Sequence, residues 1–241
     1  MTDHPTPFMA DMVRALLEGR KTQTRRIIKD APNNLQGCFR RPDGRWIWTT
    51  DHRPNNGPGV GVGIGEPFRV RHSIGDRLYV REAWRTHTHL DRFKPSVLPT
   101  DTPVFYEADI GGDRRAATGK FRQGMHMPRW ASRLTLTVTD VRVQRIQEIA
   151  EADAMAEGIE RVHYTGNLPE YLGMHGWRAY DRLPDGGEHP HNAAPYALPT
   201  TSFRSLWDSL NAERGYGWDA NPWVTATSFT IQRGNIDEVT R

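Results

Sequence analysis

The chain has 241 residues, 37% of them apolar and 25% charged, with a formal net charge of +3 when histidine is neutral. No apolar run approaches the roughly 20 residues that a membrane-spanning helix needs, which excludes that class. The single Cys38 excludes an internal disulfide and a zinc site built on cysteine. The amino-terminal MTDHPTPFMADMV has a proline, polar residues and Asp11 where a secretory signal would carry a basic region and an apolar stretch, so a cytoplasmic chain is expected. The sequence pI is about 9.2. Its basic residues are mostly arginines, paired at Arg25-Arg26, Arg40-Arg41 and Arg114-Arg115, and arginine favours phosphates and planar bases. The same clusters are also what an ordinary solvated surface carries.

In chain order, Met12, Val13, Leu16 and Leu17 recur at helical spacing and predict a short amphipathic helix over Ala10–Glu18, ended by Gly19. From Pro32-Asn33-Asn34 to about Pro67 the chain is rich in Pro, Gly and Asn and reads as a long loop or hairpin insertion, with one candidate strand at Trp46–Thr49. The segment DRLYVREAW, residues 76–84, alternates so that Leu78, Val80, Glu82 and Trp84 share a face. Leu134–Val143 is a second strand whose apolar positions switch from even to odd, which predicts a bend near Thr139-Asp140. Glu148–Glu157, stopped by Gly158, and Phe203–Asn211 read as helices, and Trp223–Ile231 as a final strand with Trp223, Phe229 and Ile231 on one face. Tyr164–Pro199 is polar and reads as another insertion. Several strands with few short helices and no alternating βαβ units predict an α+β chain, a mixed or antiparallel barrel with peripheral helices.

Two glycine-containing segments fail as phosphate-binding loops. Gly59, Gly61, Gly63 and Gly65 do not satisfy G-x-G-x-x-G and no helix pattern follows them, and Gly119-Lys120 lacks the Ser/Thr and upstream glycine of a Walker A loop. His87-Thr88-His89 with Asp91, and His189-Pro190-His191, are metal-like pairs in polar loops, and no metal is assigned to them.

The segment Gly19-x-Lys21-x-x-Thr24-x-Arg26 resembles the GxKxxTxR signature of ASCH domains. GDRLYVREAW, with Gly75 and Glu82, is similar to the second element of that family, and MPRWASR, residues 127–133, to a third found in phage-associated members. The helix ending at Glu157-Gly158 and FRSLWDSLN follow in the expected order. The resemblance covers about residues 8–30, 68–84, 125–160 and 203–230. It implies a single PUA-like β-barrel domain over residues 1–241, with insertions near 31–67 and 162–200 and a cleft for RNA or nucleosides. A phage-encoded protein in a bacterial host cell is part of the same implication. Some members are amidohydrolases that deacetylate N4-acetylcytidine without a cofactor, and by motif position their catalytic Lys, Thr and Glu fall on Lys21, Thr24 and Glu82. Other members are reported as ribonucleases.

A threonine hydroxyl needs a base to take its proton, and Lys21 serves only if it is neutral. Burial and the neighbouring Arg25 or Arg26 would lower a lysine pKa, whereas an ionised Glu82 would raise it, so base and ion pair both stand open. A three-residue spacing puts Lys21 and Thr24 on opposite faces of a regular strand, so a shared site requires a turn after Gly19. Arg26, Arg129 and Arg133 are candidate contacts to phosphate or carboxylate, and Trp84 and Trp130 candidate stacking platforms for a base. For Trp84, core packing competes with stacking. Three functions are therefore expected of the sequence: a hydrolase of an N4-acylated cytidine or related nucleoside, a non-catalytic RNA or modified-base reader, and a ribonuclease.

Overall fold

The computed structural model describes residues 1–29, 31–32, 37–49, 63–110, 118–164, 173–181 and 194–239. The chain runs through β1 (Asp3–Pro7), α1 (Ala10–Leu17), β2 (Gln23–Ile27), β3 (Gly37–Arg40), β4 (Trp46–Thr49), β5 (Ile64–Phe68), β6 (Arg77–Arg81), β7 (Trp84–Arg85) and β8 (Phe105–Tyr106). It continues through β9 (Leu134–Arg145), α2 (Glu151–Ala156), β10 (Arg161–His163), β11 (His175–Trp177), α3 (Pro199–Asn211) and β12 (Trp223–Arg233), with short 3-10 turns between. The fold is α+β, mostly sheet with few helices. Among the described residues no helix is long and apolar enough to cross a membrane.

The residues pack as two compact units, each assembled from separate stretches of chain. The first comprises Met1–Thr22, His72–Asp140 and Ser228–Arg241; the second comprises Gln23–Arg71 and Val141–Thr227. The long strands β9 and β12 each contribute one half to either unit.

In the first unit the strand order is β1, β6, β9, β12. β1 runs parallel to β6, with His4 opposite Leu78 and Thr6 opposite Val80, and β6 runs antiparallel to β9, with Leu78 opposite Leu136. Leu78, Val80, Leu134, Leu136, Val138 and Phe229 are buried, as the alternation of the sequence requires. The other face of β6 is covered as well, because Arg77 and Tyr79 are also buried. Arg77 forks onto both carboxylate oxygens of Asp3 at 3.0 Å and donates to the Ile236 carbonyl at 3.0 Å, so an arginine takes a place that would otherwise need an apolar side chain. α1 forms where its spacing predicted, with Met12, Val13, Ala15 and Leu16 buried and Asp11 in its first turn. The predicted strand at 76–84 is broken into β6 and β7, with Glu82 and Ala83 between them.

In the second unit β9, β12 and β2 are neighbours in that order, and β3, β4 and β5 form a separate antiparallel sheet. Trp48 stacks on Phe68 with ring centroids 4.4 Å apart and leans on Trp223 at 5.0 Å, closing a cluster with Cys38, Trp46 and Val143. Of the two readings of this stretch, a long loop or a hairpin insertion with one strand at Trp46–Thr49, the hairpin is the one the structure shows, with two further strands and much of an aromatic core. β3 and β5 were hidden because Gly-Cys-Phe-Arg and Ile-Gly-Glu-Pro-Phe lack the length and the branched alternation of a strand signal. α2 packs on α3 and on β2. The burial of β9 switches phase as expected, from Leu134, Leu136 and Val138 to Val141 and Val143, and the switch coincides with the point where the strand passes from one unit to the other.

Candidate functional site

Gly19 closes α1 with a turn that comes just before Lys21. Its φ is +74°, a backbone conformation open to glycine at little cost. The amides of Arg20 and Lys21 both return to the Ala15 carbonyl, at 2.9 and 3.1 Å. Lys21 is thereby carried inward: it is 2% exposed, and its Nζ lies 5.7 Å from the centroid of the Phe8 ring. Phe8 in turn donates its backbone N–H to the Arg81 carbonyl at 3.0 Å, which brings the surroundings of Lys21 to the end of β6 beside Glu82.

Glu82 is 1% exposed and its carboxylate is gripped side-on by Arg133, with Nε donating to Oε1 at 2.8 Å and Nη2 to Oε2 at 2.9 Å. Arg133 also holds Asp109 through Nη1 and Nη2, and its guanidinium sits 3.9 Å from the centroid of the Tyr106 ring. Burial pushes the Glu82 carboxyl above its ordinary value, and Arg133 opposes the rise without cancelling it. For Arg133, burial works to lower the pKa, but the hydrogen bonds to Glu82 and Asp109 outweigh it and the guanidinium stays above its usual value. The two contacts form a bidentate carboxylate–guanidinium fork.

Met127 links the remaining candidates. Its Sδ accepts the Glu82 amide at 3.4 Å, and it packs in a cluster with Trp84, Leu98 and Ala131, against which Trp130 is half-buried. Trp84 has no accessible surface; the Arg122 guanidinium lies 5.2 Å from its ring centroid, and its Nε1 has no hydrogen-bond partner among the described residues. Glu82, Trp84, Trp130 and Arg133 are therefore one neighbourhood of the first unit. Arg129 is turned elsewhere, to Asp3 at 2.6 Å and Asp237 at 2.7 Å.

Thr24 and Arg26 belong to β2 of the second unit. Thr24 is buried and Arg26 exposed. Between them Arg25 is fully buried and forks onto Glu157 at 2.9 Å and Asp153 at 3.0 Å, with the Phe203 ring centroid 5.8 Å away.

Sequence reading missed Tyr106 and Asp109, which frame Arg133. A signal existed in Phe105-Tyr106-Glu107-Ala108-Asp109, where acids alternate behind aromatics, and β8 carries it to β7 through Tyr106 opposite Trp84. The arginine excess is largely spent within the protein: Arg77, Arg85, Arg122, Arg142 and Arg178 are ion-paired alongside those already named. His87 and His89 stack with ring centroids 5.8 Å apart, and among the described residues no group of three or more metal-ligating side chains forms. Gly119 donates to the Thr86 carbonyl at 2.7 Å, a structural tie. The His189-Pro190-His191 pair, Arg114-Arg115 and residues 57–62 of the glycine tract lie outside the described residues. No family model, curated protein or solved structure matches the chain.

Proposed function

We propose that this chain is an ASCH-type hydrolase on a PUA-like barrel framework, removing the acyl group from an N4-acylated cytidine or a related modified nucleoside. The observation that carries the reading is the burial of two ionisable motif residues, Lys21 and Glu82, in the same unit. Burying charge is costly, and sites that need shifted proton affinities are where proteins accept that cost. In the proposed reaction the Thr24 hydroxyl gives its proton to a neutral Lys21 and bonds to the acyl carbon. The carbon–N4 bond breaks, N4 takes up a proton and leaves as the amino group of cytidine, and water then cleaves the threonine ester to release the acid. Glu82 orients the lysine or shuttles a proton.

The test is incubation with N4-acetylcytidine, following acetate and cytidine. Thr24→Ala and Lys21→Ala are expected to abolish release, and Lys21→Arg to leave it abolished because guanidinium stays protonated. Full turnover by Thr24→Ala would overturn the assignment of the nucleophile.

A second reading, a reader of modified bases without turnover, is favoured by one feature: both Glu82 oxygens are engaged by Arg133, which suits a fixed acceptor better than a proton carrier. Ligand binding without any release of acid would establish it over the hydrolase.

A further inference from the structure

We propose that Asp109 is a specificity-determining residue that turns phosphorylated ligands away from the Glu82–Arg133 neighbourhood, so that its ligand is an uncharged nucleoside and not a nucleotide or an RNA strand. The inference rests on the nucleoside-site reading above and deepens it.

Side-chain exposure rises from 2% at Glu82 through 24% at Arg133 to 48% at Asp109, so this row of three groups leads outward and its open end is Asp109. A guanidinium has five N–H donors, and here four are engaged: Nε and one Nη2 hydrogen by Glu82, the other Nη2 hydrogen and one on Nη1 by Asp109. The Tyr106 ring covers one face of the Arg133 guanidinium, and the Tyr106 hydroxyl is itself fixed by donating to the Ala131 carbonyl at 3.0 Å. The in-plane edge where a phosphate would make its paired contacts is therefore already filled by a carboxylate. Two carboxylates against one guanidinium leave the row with a net negative charge. Of the cations nearby, Arg85 is taken by Glu107 and the Gly119 carbonyl, Arg129 by Asp3 and Asp237, and Arg14, which donates to the Ala108 carbonyl at 3.2 Å, by Asp11, while Arg81 donates to the Met125 carbonyl at 3.1 Å. An incoming phosphate must displace Asp109 or sit beside it, and like charges brought together without an intervening cation repel.

The experiment compares binding of N4-acetylcytidine and its 5′-monophosphate by calorimetry, on the intact chain and on Asp109→Asn, at low and moderate salt, with turnover of both compounds followed in parallel. The intact chain is expected to bind the nucleoside at least about tenfold more tightly than the monophosphate, a gap that added salt narrows by screening the repulsion. Asp109→Asn is expected to close most of the gap by strengthening monophosphate binding. A phosphate-binding surface would respond to salt with the opposite sign. The inference is overturned if the intact chain binds the monophosphate as tightly as the nucleoside, if Asp109→Asn leaves the ratio unchanged, or if neither compound binds. Selective binding without turnover would uphold Asp109 and remove the hydrolase, whereas equal turnover of both compounds would uphold the hydrolase and remove the role of Asp109.

Discussion

Arg133 meets Glu82 edge-on across 51 positions of sequence, with Nε and Nη2 donating to the two carboxylate oxygens at 2.8 and 2.9 Å. The pair explains how a carboxylate can sit with 1% exposure at the end of β6. Without its fork the charge would be unpaired in a poorly solvated place, so the arginine sets whether Glu82 holds a proton and which way its oxygens point.

Arg133→Met is expected to destabilise the protein by about 3–5 kcal/mol at neutral pH, the usual cost of leaving one member of a buried pair alone. The loss should shrink on mild acidification. Burial already holds the Glu82 pKa above its ordinary 4.5, and removal of the guanidinium takes away what opposes that rise. A carboxyl with a raised folded-state pKa contributes stability that is fully present below the unfolded value and lost as pH climbs through the folded one. Urea unfolding of Arg133→Met near pH 5 and pH 7 should therefore give the higher midpoint at pH 5. The double variant Glu82→Gln/Arg133→Met should recover most of the loss and show little of this pH dependence.

Arg25 is the corresponding pin of the second unit, and the substitution that tests it is conservative. Its guanidinium reaches Gln23, Glu157 and Asp153 from one planar group. Burial works against the charge of Asp153, but hydrogen bonding and charge from Arg142, with the charge of Arg25, outweigh it and hold its pKa below the usual value. Arg25→Lys keeps the charge and loses the fork, so it should cost nearly as much as Arg25→Met, about 3–5 kcal/mol in denaturant unfolding. A lysine variant as stable as the parent would show that charge alone suffices at this position.

Cys38 offers a probe of the aromatic core that needs no mutation. It is buried against Trp46, Trp48 and Trp223, its Sγ lies 3.6 Å from the Val143 carbonyl, and burial pushes its thiol pKa up to about 12, with the charge of Glu148 adding to the rise. The thiolate is the reactive form, so alkylation by iodoacetamide at pH 8 should be negligible in the folded protein and prompt in denaturant. Labelling in native buffer at the rate of a free thiol would show that β3 does not stay packed.

These features differ in how far the sequence displays them. α1 and the turn at Gly19 were legible because helical spacing and a terminal glycine are local signals, and β4 because Trp-Ile-Trp has few other uses in so polar a stretch. The strands β3 and β5 were not, since their stability comes from tryptophan packing and not from their own residues. Arg25 and Arg26 are adjacent and chemically identical, yet it is Arg25 whose guanidinium forks onto Asp153 and Glu157, and that choice depends on the position of α2 beside β2. The Glu82–Arg133 pair was half-visible, since both residues were candidates, but their joining depends on register between β6 and β9, which is a long-range property. Tyr106, in the two-residue strand β8, and Asp109, in the turn after it, were missed because the alternation of acids and aromatics around them does not say which distant cation they meet.

Gly19 carries the last expectation, because it is where local backbone chemistry and the candidate site meet. With φ at +74°, a side chain here is strained whatever the space around it, and no atom lies within 4 Å of the place a Cβ would take. The cost of Gly19→Ala is therefore purely conformational, about 1–2 kcal/mol, and Gly19→Asn should cost less because asparagine tolerates the left-handed region. If the backbone relaxes away from that region, the Arg20 and Lys21 amides lose their shared acceptor at Ala15, so hydrogen exchange at those two amides should accelerate in Gly19→Ala more than in Gly19→Asn. Deacylation of N4-acetylcytidine should fall in the same order, since this turn sets the path by which the chain carries Lys21 inward from α1. A Gly19→Ala protein with unchanged stability and unchanged exchange at Arg20 and Lys21 would show that the turn does not hold Lys21 in position.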